Sequence, residues 1–507
     1  KKHTSTTWVP HLVEVCLYLH FLSFVSSLPH HSFSGSSSPS SSSLLLFITL
    51  LMSSSSSSSD NGDSGGGSIS GAGRSGGVFE APSPSRPRHS VNDVWPEPFL
   101  ESLAVQVAVD ASLTAGLLAA APALANVFRV CTTWQAVSRS DHLWQLLSRQ
   151  VWARTSSMHD TWRDEFMYRH RTTRNFRTRT CVYFTLHFDP SDVDEPDSLS
   201  CRCLKLSDLY LAAGFADGTV RLFLLNNHLH IRTLRPPLRD RFGRFSRAVS
   251  GIVISDSRLV FATMDGDIHV AEINGVGGHT RTAYAGDIVN DGALVDFTGC
   301  GRYWVGLFAG VPGRAFHIWD CNSEETTFVG GSLTDPEAVM GWHTLTELTT
   351  SLGRLRISGG ETAVACTRWR IMVIDLRNQG VIIGDDEEQR RGLMVTGFDA
   401  NEEAYVRMDS RGIAIVRRVR TQETLCEFRM SGAAQRRVMG CVNRLHALMC
   451  AGGVMRVWDV ERGEYLYSFR ERVGEVDAIV ADDRHVAVAS SSSTAVSTIH
   501  LWDFGAL

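Results

Sequence analysis

From Cys181 onward, short runs of alternating apolar and polar residues are cut at regular intervals by Gly, Asp and Asn, the pattern of half-buried strands joined by tight turns. One cadence recurs: an apolar run, a turn, then an alternating run closing on an apolar or large residue. The endings are Phe223 (VRLF), Ala271 (IHVA), Trp319 (FHIWD), Ile374 (MVID), Val416 (IAIV), Trp458 (MRVWD) and Trp502 (IHLWD). Their spacings are 48, 48, 55, 42, 42 and 44 residues, about 46 on average, so 181–507 reads as seven copies of one β unit. Asp217-Gly218, Asp265-Gly266 and Gly452-Gly453 supply tight-hairpin chemistry ahead of three of the endings.

Between 94 and 150 the period changes. The stretch ESLAVQVAVDASLTAGLLAAAPALANVFRV is rich in the strong helix formers Ala and Leu. Pro96 and Pro98 suit the entry to a first helix, and Pro122 suits a break between later ones. Val127, Val130 and Trp134 recur at helical spacing, as do Leu143, Trp144 and Leu147, with Ser140-Asp141 as the cap of the last helix. The segment 151–180 is a basic connector, and from Trp162 to Thr180 it holds six Arg against Asp164 and Glu165. Phe166, Tyr168 and Phe176 are interleaved there, which fits either a nucleic-acid patch or a linker packed between two domains.

The β array resembles the WD-repeat propeller, whose units carry four strands each and whose rims bind partners. Only Trp319-Asp320, Trp458-Asp459 and Trp502-Asp503 are full Trp-Asp pairs, and Gly278-His279 is the one plausible Gly-His opening, so the array is divergent. The last unit stops as its third strand ends, and an open edge is a liability. Cys181–Phe188 (CVYFTLHF) alternates well and is expected to supply the missing strand and latch the ring. In the helical stretch, Pro96-x-x-x-Leu100, Phe128-Arg129-Val130-Cys131-x-x-Trp134 and Ser140-Asp141-x-Leu143-Trp144-x-x-Leu147 resemble the F-box. It departs from that pattern at Trp95, where Leu usually precedes the proline, and in a lengthened middle around 112–123. The resemblance implies docking on a Skp-type adaptor and through it on a cullin. Pro96, Leu100, Val130 and Trp144 are the adaptor-contact candidates, though Trp134 and Trp144 suit the core of the module equally.

The expected architecture is therefore mainly β: a seven-bladed WD-repeat propeller (181–507) behind a small F-box helical domain (94–150) and the connector (151–180). Taken together, the chain resembles a plant family of F-box proteins with WD-repeat propellers. That resemblance implies a nuclear substrate receptor of a ubiquitin ligase, with growth-restraining repressors of the PEAPOD type as substrates and flower and organ development as the process. The alternative is a transcriptional regulator associated with DNA directly or indirectly, and a plain propeller scaffold stands third.

Composition narrows the chemistry. With 49 Lys+Arg against 54 Asp+Glu the net charge is −5, which excludes a whole-chain electrostatic grip on nucleic acid. Two loops concentrate charge: Arg235, Arg239, Arg241, Arg244 and Arg247 in one, Asp385-Asp386-Glu387-Glu388 in the other. The arginines are the candidate receivers of an acidic or phosphorylated segment of a substrate. Eleven cysteines without C-x-x-C spacing fit reduced thiols. There is no P-loop, no H-E-x-x-H and no credible triad, so no cofactor, metal or catalysis by the chain itself is expected. Gly62-Asp63-Ser64-Gly65-Gly66 mimics a nucleophile string but sits in a serine tract, and 52–93 reads as a disordered Ser/Gly/Pro-rich tail. The apolar run Leu12–Leu28 is interrupted by Glu14 and His20 and is short for a membrane span. Met52 is the first methionine, so 1–51 is expected to be leader that is not translated.

Overall fold

The computed structural model describes residues 96–189, 199–237, 244–255, 257–274, 279–332, 354–387, 394–430, 438–491 and 497–506. The tail, the leader and the serine-tract decoy lie outside them. The chain divides into two compact units, Lys1–Arg154 and Thr155–Leu507.

In the first unit, helix α1 runs Glu97–Ala115. Pro96 precedes it at φ −60°, a torsion its ring imposes without loss of a helical hydrogen bond. Gly116, at φ 89°, ends it in a conformation that costs other residues dearly. A 3-10 turn, Leu117–Ala119, leads into α2 (Ala120–Phe128). Pro122 thus lies in the first turn of α2, where its missing N–H is no loss, and the expected break belongs to Gly116 instead. Then come α3 (Thr132–Val137) and α4 (Asp141–Trp152). Ser140 caps α4 as expected, its hydroxyl accepting from the Leu143 amide at 3.4 Å. The core of the unit is a short apolar set on facing helices, with Ala104, Leu124, Leu143 and Val151 fully or almost fully buried.

The second unit is a ring of seven four-stranded antiparallel sheets. Six blades occupy 201–234, 249–284, 293–330, 354–387, 395–429 and 438–468, each a plain up-and-down meander. The seventh takes three strands from 475–503, and its outer strand is Val182–Leu186, paired antiparallel to Thr498–Asp503 with Tyr183 opposite Trp502. The latch expected of 181–188 is therefore present. Closure in this way leaves no unpaired third strand in the ring.

The core lies in the seven seams between blades, each filled by its own apolar cluster. The seam between blades 2 and 3 holds Trp304, Phe308 and Trp319, and that between 7 and 1 holds Leu186, Phe215 and Phe223. Six of the seven repeat endings sit in third strands, buried, facing the preceding blade. Blade 5 differs. Val416 faces blade 6, and the position equivalent to Trp458 is Arg417, which pairs in register with Tyr405 as Trp458 does with Ala447. A charged residue in the tryptophan slot hid the true register by one position. Gly278-His279 opens no repeat: His279 stands just before the outer strand of blade 2, Thr280–Tyr284, and Gly278 lies outside the described residues.

Helix α5 (Trp162–Thr178) is part of the propeller unit. Thr161 caps it, accepting from the Asp164 amide at 3.1 Å. Its inner face drives Phe176, 1% exposed, into the seam between blades 6 and 7. That ring stacks on His446 at 4.3 Å and on Phe504 at 4.1 Å. The Phe176 carbonyl accepts from the Tyr467 hydroxyl at 2.6 Å, and Asn175 donates to the Phe504 carbonyl at 2.9 Å.

Candidate functional site

The four adaptor-contact candidates divide by burial. Leu100 (3% exposed) and Trp144 (6%) belong to the core of the helical unit. The Trp144 indole donates to the Ser138 carbonyl at 2.7 Å, and its ring lies 6.1 Å from Phe128, so its amphipathic needs are met internally. Pro96 and Val130 face solvent. Trp134 is core as well. Sequence reasoning missed Phe99, which is 45% exposed in the first turn of α1, beside Pro96 in the turn. The available signal was its position three residues after Pro96, on a helix whose periodicity places Leu100 and Ala104 inward. Glu101, one turn along, accepts from the Ser140 hydroxyl and meets His142 Nδ1 at 3.3 Å, which ties the start of α4 to α1. Among its described residues the unit thus offers exposed apolar groups and no cluster of metal-ligating side chains.

In the ring, only part of the arginine set can be placed, because Arg239 and Arg241 are not among the described residues. Arg235 is exposed just after the outer strand of blade 1, and its carbonyl accepts from the Thr280 hydroxyl at 2.7 Å. Arg244 opens the 3-10 turn Arg244–Arg247, whose last residue is half-buried. The acidic segment is not a free loop: 381–387 is the outer strand of blade 4. Asp385 is gripped bidentately by Arg370 at 2.8 and 2.7 Å, and Asp386 pairs with Arg417 at 2.7 Å. The tryptophan slot of blade 5 is thereby occupied by an ion pair. Glu388 lies outside the described residues.

The basic connector is likewise partly consumed by structure. Arg169 is buried and donates to Glu165 at 2.8 Å. Burial raises the Glu165 carboxyl, but hydrogen bonds from His159, Arg169 and the Met158 amide outweigh it and hold the pKa below the usual range. Arg179 donates to the Ser468 carbonyl at 3.0 Å. Arg163, Arg171 and Arg174 remain exposed along α5.

A third charged cluster escaped sequence reasoning because its members, Asp296, Arg356 and Asp399, are spread over 103 residues. It lines the central channel from the inner strands. Arg356 of blade 4 reaches Asp296 of blade 3 at 3.2 Å and Asp399 of blade 5 at 2.6 Å. Asp296 stands at a β-bulge and also accepts from the amides of Phe297 and Leu355, at 3.0 and 2.8 Å. Asp399 accepts from the Val442 amide of blade 6 at 3.0 Å. One arginine and two aspartates therefore staple blades 3 to 6 round the channel. Burial lowers the pKa of Arg356, but Asp399 and then Asp296 more than offset this and keep it firmly protonated. Among the described residues no group of His, Cys, Asp and Glu could hold a metal ion, and no helix is long and apolar enough to cross a membrane.

Fold and site together define a seven-bladed WD-repeat propeller protein carrying an F-box-like helical region. No family model matches the chain. A curated relative does: the Arabidopsis thaliana protein named transcriptional regulator STERILE APETALA is 90% identical over 440 residues, spanning 87% of this chain and 98% of the relative. The chain belongs to the STERILE APETALA family. Among solved structures, BamB from Moraxella catarrhalis shares 13% identity at a TM-score of 0.41, over 60% of this chain and 85% of that one.

Proposed function

We propose that the chain is the substrate-recognition subunit of a Skp–cullin–F-box ubiquitin ligase, acting in the nucleus on growth-repressing transcriptional regulators of the PEAPOD type and so controlling flower and organ development. The observation that carries this reading is the combination of an F-box-like unit presenting Pro96, Phe99 and Val130 to solvent with a closed binding ring. The chain does no covalent chemistry in this scheme. It holds the substrate while the scaffold presents activated ubiquitin, which raises the effective concentration at substrate lysines.

The test is co-purification with a Skp-type adaptor. Phe99→Asp and Val130→Asp remove exposed side chains, and each is expected to cost about 2 kcal/mol, or roughly 30-fold in affinity, if it is a hot spot. Leu100 is unsuitable for this purpose because its loss opens the core. Failure of the unaltered chain to capture adaptor rejects the proposal. Replacing Arg239, Arg241 and Arg244 by Glu is expected to abolish substrate capture with adaptor binding intact.

The relative is named a transcriptional regulator, and the second reading is that the chain regulates transcription through direct or indirect association with DNA. That reading calls on the exposed Arg163, Arg171 and Arg174 of α5 rather than the whole basic run. It is supported if duplex binding weakens steeply with salt and is lost in the Arg171→Glu, Arg174→Glu double variant.

A further inference from the structure

We propose that the central channel of the ring is a binding site for a small phosphate-type oxyanion, held between Lys205 of blade 1 and Arg354 of blade 4. The register puts both residues on innermost strands. Lys205 stands opposite Ala212, Arg356 opposite Val364 and Asp399 opposite Val406, which are equivalent positions of second strands in blades 1, 4 and 5. Lys205, Arg356 and Asp399 therefore share one tier of the channel, and Arg354 stands two residues above Arg356 on the same strand.

The carboxylates at this level are already satisfied. Both oxygens of Asp296 and both of Asp399 receive donors from Arg356 or from backbone amides. Lys205 and Arg354 make no ion pair or hydrogen bond among the described residues, yet each feels the charges of Arg356, Asp296 and Asp399. Burial pushes the pKa of both cations down, and Arg356 adds repulsion to each. The neighbouring Cys203 thiol, driven by burial to about 12, contributes no negative charge. Arg202 of blade 1 and Glu475 and Asp477 of blade 7 lie beyond the level of Arg354 in the register and bring the inner strands as a whole to four charges of each sign; the imbalance is confined to the tiers of Arg356 and Arg354. Three cations then face two carboxylates, with two of the cations lacking acceptors.

A cation left without a partner in a confined site costs stability, and such groups are retained where a ligand completes them. An arginine fork beside a lysine point charge is the donor set that suits phosphate oxygens. Arg356 already spans from blade 4 to blades 3 and 5, so the occupant is small. Nothing in the ubiquitin-ligase reading requires this site.

The test uses the full chain with inorganic pyrophosphate as probe, followed by calorimetric titration and thermal melting. The expected results are saturable binding, a rise in Tm with pyrophosphate, and a loss of roughly 10-fold or more in affinity for Lys205→Met and for Arg354→Met. Without pyrophosphate, both variants are expected to melt at or above the unaltered chain, because each removes an unpaired cation. A merely structural role would lower their melting temperature. Absence of saturable binding, equal binding by the variants, variants that melt lower without ligand, or tighter binding of citrate or of a phosphoserine peptide than of pyrophosphate would each overturn the proposal.

Discussion

Phe176→Ala tests whether α5 is an integral part of the ring. The side chain is 1% exposed and lies against His446 and Phe504 in the seam between blades 6 and 7. Truncation of a fully buried Phe costs about 3–5 kcal/mol, from lost transfer energy and the cavity left behind. A unit of about 350 residues unfolds with an entropy near 0.7 kcal/mol per degree, so the melting temperature is expected to fall by about 4–7 °C. A second readout is independent of stability. Burial, with a smaller push from Arg177, holds the His446 pKa at about 3. Removing the ring stacked on it admits water, and the imidazole is then expected to titrate closer to its ordinary value near 6.5, visible in its NMR chemical shift. Arg171→Ala, on the exposed face of the same helix, is the control and should stay within about 0.5 kcal/mol. A fall of less than about 2 °C, with His446 still silent above pH 5, would refute the assignment of α5 to the propeller core.

Acid should destabilise the ring before its carboxylates titrate. His446 and His317 stay neutral when folded, at about 3 and about 4 because both are buried, whereas the unfolded chain takes up those protons near 6.5. Their contribution is complete above pH 6.5 and falls by about 1.4 kcal/mol per pH unit for each residue between 6.5 and 4, as denaturant midpoints would register; a flat profile contradicts this. Leu186→Ala in the latch strand is expected to cost about 2–5 kcal/mol and to speed hydrogen exchange in 498–503, and unchanged exchange there would argue against ring closure by this strand. Arg417→Met, which removes the 2.7 Å partner of Asp386, is expected to cost about 1.5–3 kcal/mol, and adding Asp386→Asn should recover part of it; strict additivity would mean that the pair is not coupled.

Sequence periodicity revealed the ring because each third strand must bury one residue against the preceding blade, and six of seven repeats use an apolar residue there. It slipped at blade 5 because Arg417 solves the same packing problem by pairing with Asp386, an interaction between blades that no local pattern records. The Ser140 cap and the latch were legible because hydrogen-bonding need and edge closure act locally or leave a visible deficit. The division of Pro96, Leu100, Val130 and Trp144 into exposed and buried pairs was not, since a hydrophobic residue on a short helix serves core or partner equally. Arg169 read as part of a basic surface until its burial against Glu165 was seen. The channel charges were invisible for the plainest reason: Lys205, Asp296, Arg356 and Asp399 meet only when the ring closes.

The latch also governs when the ring can form during synthesis. Val182–Leu186 leaves the ribosome before any blade, yet its partner Thr498–Asp503 comes more than three hundred residues later. Through that interval six blades can fold in order while the first waits for its neighbour in the ring, with the apolar face of Leu211 and Phe215 uncovered. A chain interrupted shortly before Thr498 would lose its final third strand and strand its earliest one at once. Quality control on this protein therefore has a natural checkpoint at the last strand made.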